Sequence, residues 1–229
     1  MKKIALLTAF SMLSAIQPIK ATVLVDWTFE TSQPTTAGAI SPEIGSGNAY
    51  GSHAGAAVYS SPAGNGSSHS YSSTVWAVND YWEFDFSSLG YTGVQISFDQ
   101  TSSNTGPGHF GLFYSINSGP YTQIGANYTV LANASPNPPW NATTSSSLYT
   151  LTPNLSSLGS ALDNETSVSF RLVDQDTVSA NGGTVSSGGT DRVDNFIVTV
   201  NPVPEPTTLA LSALGGLACL LSMQRKRRQ

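Results

Sequence analysis

Tyr81-Trp82-Glu83-Phe84-Asp85-Phe86 decides the fold. Trp82, Phe84 and Phe86 alternate with Tyr81, Glu83 and Asp85, and a period of two is the mark of a strand with one buried and one wet face. The pattern returns at Val94-Gln95-Ile96-Ser97-Phe98-Asp99, where Val94, Ile96 and Phe98 share one side. Further along, Phe110, Leu112, Tyr114 and Ile116 precede a turn at Asn117-Ser118-Gly119-Pro120, and Tyr121 to Leu131 follows it, which reads as a hairpin. Leu148 to Leu151 is a short strand, Leu155 to Leu158 one helical turn, and Val168, Phe170 and Leu172 a strand again. Val193 to Val200 closes the series. Before the opening motif, Val23 to Glu30 is a strand with Trp27 and Phe29 on one face, and Tyr71 to Val78 is another. Between them, residues 31–70 are a low-complexity stretch rich in Gly, Ser, Ala and Pro, in which only Ala56 to Ser60 resembles a strand. No amphipathic helix intervenes. Short alternating strands separated by turn residues predict an all-β, jelly-roll-like sandwich over residues 22–200.

The two ends do not belong to that domain. Met1-Lys2-Lys3, an apolar run from Ile4 to Ile16 and a small residue at Ala21 make a secretory signal peptide over residues 1–21, cut after Ala21 or, alternatively, after Ala15. At the other end Val203-Pro204-Glu205-Pro206 precedes an apolar run from 207 to 223, followed by Gln224 and the cations Arg225, Lys226, Arg227 and Arg228. Such a run makes a helix of about 26 Å, near the lower limit for crossing a hydrocarbon core, and the cations set the C-terminus in the cytoplasm.

Those three pieces in order, residues 201–229, resemble the PEP-CTERM sorting tail of exported bacterial proteins. The resemblance implies export by the secretion machinery and passage through the inner membrane. It also implies cleavage at the Pro-Glu-Pro motif by an exosortase-type protease, with release to the cell surface or the extracellular polysaccharide matrix. A second resemblance rests on Tyr81-Trp82-Glu83-Phe84, Gly90-Tyr91, Ile96-Ser97-Phe98-Asp99-Gln100, Gly106-Pro107-Gly108, Phe113-Tyr114-Ser115, Phe170-Arg171-Leu172 and Arg192-Val193-Asp194-Asn195-Phe196. Over 71–200 these are similar to the jelly-roll modules that PEP-CTERM proteins often carry, and they speak of fold rather than activity.

With both ends removed, residues 22–206 hold fourteen acidic residues against Arg171 and Arg192, a net charge of −12 with no lysine. A surface of that sign disfavours nucleic acid and suits cations or neutral glycans. The one cysteine, Cys219, lies in the apolar tail, so the body has neither a disulfide nor a thiol nucleophile. No Gly-x-Ser-x-Gly elbow, His-Glu-x-x-His motif or phosphate loop occurs, and His53, His69 and His109 read as solvated loop residues. The expected role is therefore non-catalytic, structural or binding. A glycosidase-type carboxylate pair from Asp174 and Asp176 with Asp191 and Asp194 is the alternative reading. The same acids suggest a structural calcium, with Asp26 or Glu30 meeting Asp194, and Asp174 and Asp176 meeting Asp191. For a carbohydrate-binding role, Trp76, Tyr91, Tyr121 and above all Trp140 are the aromatics expected to stack on sugar rings.

Overall fold

The computed structural model describes residues 20–203, and both terminal segments read above as signal and sorting tail fall largely outside them. Eleven strands follow in order: β1 (Thr22–Trp27), β2 (Gly47–Ser52), β3 (Tyr59–Ser60), β4 (Tyr71–Ser73), β5 (Tyr81–Phe86), β6 (Tyr91–Ser102), β7 (His109–Ile116), β8 (Thr122–Thr129), β9 (Thr150–Leu151), β10 (Val168–Asp174) and β11 (Asp191–Pro202). Two 3-10 turns, Ser147–Tyr149 and Ser156–Leu158, are the helical elements among the described residues.

The strands form two antiparallel sheets. One runs β3-β4-β11-β6-β9, with β1 also paired to β11, and the other runs β2-β5-β10-β7-β8. This is the all-β, jelly-roll-like sandwich that the alternating pattern predicts. Trp82, Phe84 and Phe86 of β5 point inward, as do Phe170 and Leu172 of β10, against Ile96 and Phe98 of β6 and Phe196 and Val198 of β11. Phe196 is the centre of that layer: its ring lies 3.8 Å from that of Phe84 in a parallel stack and 5.9 Å from Trp27 edge-on.

β11 keeps its apolar residues inward only because its register slips. Val193 faces the core on an odd position and Phe196 on an even one, and the pairing with β6 is broken between Asp194 and Ile197. Asn195, at φ +49°, occupies the bulge, and a short amide side chain tolerates that backbone.

Two expectations need correction. The stretch 31–70 contains a full strand, β2, paired along its length with β5. Its sequence, Gly-Asn-Ala-Tyr-Gly-Ser, lacks large apolar residues because the core space beside it is already filled. A Cβ on Gly51 would run into the rings of Tyr59 and Trp82, and one on Gly47 would meet the Asp85 carbonyl and the Trp27 ring. The opening strand also ends earlier than expected, at Trp27. Phe29 turns back into the core through a left-handed backbone at φ +59°.

Candidate functional site

The outer face of the β2-β5-β10-β7-β8 sheet gathers the chemistry. Because inward residues alternate with outward ones, one row across the sheet reads Tyr50, Glu83, Arg171, Phe113 and Gln123, each directly opposite the next. Arg171 is its fulcrum. Its Nε donates to Glu83 Oε2 at 2.6 Å, and its guanidinium lies 3.9 Å from the Tyr81 ring centre and 3.6 Å from that of Tyr121. A guanidinium held between two aromatic faces and a carboxylate has little freedom left. Beside it Asp85 Oδ1 accepts from the Asn48 main chain and side chain at 2.9 and 3.2 Å. Burial first, then the Asp85 and Glu83 charges, push the Tyr50 hydroxyl up. Burial and Glu83 do the same for Tyr121, so both phenols stay neutral. Tyr50, Tyr81, Glu83, Asp85 and Arg171 line an open basin of about 640 Å³ with Ala37 to Ala39 at its rim. Aromatic faces interleaved with fixed donors and acceptors can bind a polyhydroxylated ring.

A second hollow of about 410 Å³ opens where the two sheets part, between β8 and β9. Phe98, Ile124, Tyr149 and Leu151 line it, and Tyr128 closes its floor by donating to Gln100 Oε1 at 2.8 Å.

Trp140, the residue expected to be the exposed stacking platform, is 7% exposed. Its indole N–H donates to the Ala63 carbonyl at 2.7 Å and its ring meets Tyr149 edge-on at 5.2 Å, so it anchors a loop and offers no face to a ligand. Trp76 is likewise buried, donating to Ser73 O. Tyr91 is half-buried at the start of β6, opposite Pro202, and packs partly on the core. Of the four aromatics named from the sequence, Tyr121 alone stands on the platform. Tyr50 and Tyr81 were missed, and the signal that could have found them is their place on the polar face of alternating strands.

The acidic residues separate into distinct settings. Glu30 Oε1 accepts from His69 N at 2.7 Å, and Asp194 Oδ2 accepts from Asn65 N at 2.9 Å and Ser67 Oγ at 2.7 Å. Both carboxylates therefore pin the 63–69 loop by its own donors rather than converging on an ion. Asp26 instead lies near Glu43, which accepts from Thr28, Phe29 and Thr31 main-chain N–H groups. Asp176 turns outward to His109 Nδ1 at 2.8 Å. Asp174 and Asp191 do approach each other, on inward positions at the same end of the sandwich. Among the described residues, no three His, Cys, Asp or Glu side chains are grouped to hold a metal.

Burial pushes Asp174, Asp191 and Asp194 up to about 7. All three are 0% exposed, so neither of the expected glycosidase pairs has access to a glycosidic bond. His53 is a further correction to the loop reading. It is buried, with Nδ1 3.0 Å from Asp80 Oδ2, Nε2 2.9 Å from Ser73 Oγ, and Trp76 edge-on at 4.5 Å. Ser73, His53 and Asp80 thus repeat the hydrogen-bond chain of a hydrolase triad, but Ser73 is 0% exposed and lies between β3 and β11. The chain ties the 53–54 and 74–80 loops to the sheet. His69 Nδ1 lies 3.2 Å from Ser61 O in the same pinned loop as above.

The fold and the platform define an all-β sandwich domain with a row of aromatic and charged side chains on the outer face of one sheet. Residues 202–228 match the PEP-CTERM protein-sorting motif, so the chain carries the sorting signal that its tail resembles. That motif indicates an exported protein sorted by an exosortase towards the cell surface. Of its core, Val203 is the one described residue, exposed and donating to Gly90 O at 3.1 Å. Pro204 to Pro206, the apolar run and the basic end lie outside the described residues, as does the signal peptide up to residue 19; Ala21 is exposed and precedes β1.

No curated protein matches the chain in sequence. Among solved structures, the K1 cleaved adhesin domain of Lys-gingipain from Porphyromonas gingivalis W83 is similar at 12% identity and a TM-score of 0.44, covering 80% of this chain and 99% of that one. The K2 cleaved adhesin domain of Lys-gingipain gives 15%, 0.43, 80% and 99%. TmCBM61, solved in complex with β-1,4-galactotriose, gives 11%, 0.36, 66% and 86%.

Proposed function

We propose that the exported domain is a non-catalytic glycan-binding module that holds neutral extracellular polysaccharide on the outer face of its β2-β5-β10-β7-β8 sheet. The observation that carries this reading is the Tyr81-Arg171-Tyr121 sandwich with Glu83 and Tyr50 beside it. Sugar rings present apolar C–H faces that stack on aromatics, and hydroxyls that pair with carboxylates and guanidinium donors. With Glu83 on Arg171 and Asp85 alongside, the platform is not cationic. An acidic glycan therefore meets repulsion where a neutral one meets acceptors. Retention of the protein on matrix polysaccharide after its tail has been processed is the role this supports.

The test is affinity electrophoresis in gels cast with a neutral β-glucan, a neutral galactan and alginate as the acidic control. Expected is retardation by at least one neutral polymer, none by alginate, and loss of most of the retardation in Tyr121→Ala and Tyr81→Ala. Retardation equal in wild type and both variants would remove the platform from the argument. Turnover of either neutral polymer that survives purification would overturn the non-catalytic reading.

A further inference from the structure

One end of the sandwich is filled with polar side chains instead of apolar ones. Asp191 begins β11 facing inward. There Trp82 Nε1 donates to it at 2.6 Å, Gln100 Nε2 lies 3.1 Å away, and Ser102 Oγ is 2.9 Å from its second oxygen. Gln100 in turn accepts from Tyr128. Ser73 stands opposite Asp191 in the ladder and leads through His53 to Asp80. Asp174 closes the layer from the other sheet. Its main-chain N–H donates to Asp80 O at 2.9 Å, and its carbonyl accepts from Asn79 N at 2.9 Å.

Every carboxylate in this layer is supplied with donors except one. Asp174 is 0% exposed, and neither of its two side-chain oxygens makes a well-formed hydrogen bond: the main-chain N–H groups of Asp176 and Gln175 favour its charge only in part, and that of Gln175 already donates to His109 O at 3.0 Å. A buried carboxylate so poorly partnered is not normally tolerated. The surroundings make it worse, since Asp80 and Asp176 both repel its charge and Asp174 repels that of Asp191. The available cations do not answer it: Arg171 is committed to the platform on the opposite face of β10, Arg192 sits on the other face of β11 from Asp191, His109 is paired with Asp176, and burial holds His53 towards its neutral form. A proton would remove the charge and still leave the carboxyl oxygens poorly partnered, whereas a cation held by oxygen ligands answers both.

We propose that a single hard divalent cation with the chemistry of calcium binds on the Asp174 carboxylate inside this layer. Calcium takes six to eight oxygens and accepts main-chain carbonyls and hydroxyls as readily as carboxylates. It does not require the three-acid cluster that is missing among the described residues. The remaining ligands are supplied by the loops that close this end, 75–80, 103–108 and 175–190. These already interlock through Val75 N to Ser187 O, Gly108 N to Val178 O and Ala180 N to Gly106 O. The ion fastens the long connection from β10 to β11 onto the end of the core. The acidic, lysine-free composition then has a structural purpose in an exported domain with no disulfide.

The test is thermal unfolding of the full-length protein in detergent, stripped with chelator and then titrated with calcium or magnesium, together with sensitised luminescence of terbium as a calcium substitute. Trp82 and Trp76 stand close enough to the layer to sensitise it. Calcium at a hundred times its dissociation constant is expected to raise Tm by about 5–10 °C for a domain of this size. Terbium is expected to bind once, displaced by calcium. Asp174→Asn should abolish both responses, whereas Asp176→Asn, turned outward to His109, should keep them. An unchanged Tm with no saturable terbium signal in the wild type would overturn the proposal. So would a response that survives Asp174→Asn.

Discussion

Replacing Trp140 with alanine separates an anchor from a ligand platform. The indole is almost fully enclosed, packs edge-on against Tyr149 and donates to Ala63 O, and it lies outside the main inter-sheet core in a small cluster of its own. A buried tryptophan removes on the order of 200 Å² from water, which at about 25 cal/mol per Å² is roughly 5 kcal/mol. Because a loop can collapse partly into the space left behind, the lower part of the large-to-small range applies, about 3 kcal/mol. The orphaned Ala63 carbonyl adds about 1 kcal/mol. For a domain of this size, about 4 kcal/mol lowers Tm by roughly 8–16 °C. Circular dichroism during heating reads that shift, and affinity electrophoresis at 10 °C, where the variant is still folded, reads binding. Trp140→Ala should melt early and bind polysaccharide as the wild type does, and Trp140→Phe should lie between them in Tm. A Tm within about 2 °C of wild type combined with lost retardation would refute the anchoring argument and restore Trp140 as a stacking residue.

Phe196→Ala, which removes the ring stacked on Phe84, should cost roughly 3–5 kcal/mol in urea unfolding without changing the slope of the transition. Gly64→Ala should destabilise by roughly 1–3 kcal/mol in the same assay, since a Cβ there collides with Asp194 Oδ2 and the His69 carbonyl. Burial outweighs the hydrogen bonds on Asp194 and raises it from the usual 3.8 to about 7, so between those values the folded state holds a proton that the unfolded state has released. Stability contributed by that proton is present below about pH 4 and lost as pH rises towards 7; the shift corresponds to at most roughly 4 kcal/mol, and Asp194→Asn should flatten this part of the profile. A fluorophosphonate probe should leave Ser73 unlabelled in the folded protein, because its triad-like partners are sealed inside; labelling abolished by Ser73→Ala would show that the site opens.

The strands that could be read from the sequence are those whose two faces differ chemically. β5, β6 and β10 place Trp, Phe, Leu, Ile or Val on one face against Glu, Asp, Ser, Gln or Arg on the other, so alternation alone reports them, as it does β7 apart from the outward Phe113 and β11 on either side of its bulge. β2 shows no such contrast, because Trp82 from the adjacent β5 and Trp27 from the facing sheet fill its core side and leave room for only Gly and Ala. The platform was half legible. Tyr121 stands out as an aromatic beside a turn, but Tyr50 and Tyr81 acquire meaning only when the register sets both near Arg171. Trp140 misled for a related reason: a proline-rich neighbourhood suggests exposure, and the Ala63 carbonyl that buries the indole is 77 residues away in sequence. The acidic residues follow the same rule. Composition reports an excess of carboxylates, whereas which of them meet loop N–H groups and which is left bare depends on contacts spanning as many as 129 residues.

Pairing of β1 with β11 also bears on how such a domain is delivered. Thr22 lies opposite Val200, so the first and last strands leave the same sheet side by side at one end of the sandwich. An N-terminal segment and a C-terminal tail held at one membrane would therefore not have to stretch across the domain for it to fold. The last main-chain bond of the described chain, Val203 N to Gly90 O, falls on the first residue of Val203-Pro204-Glu205-Pro206, and the prolines that follow have no N–H with which to extend the ladder. Among the described residues, the sheet thus ends where the sorting motif begins. A protease acting at Pro204 to Pro206 would leave β11 whole, and the partners of β11, β1 and β6, carry the core residues Val25, Trp27, Ile96 and Phe98. Cleavage on the motif side of that boundary releases an intact sandwich, and cleavage within β11 would remove the strand on which one whole sheet is built.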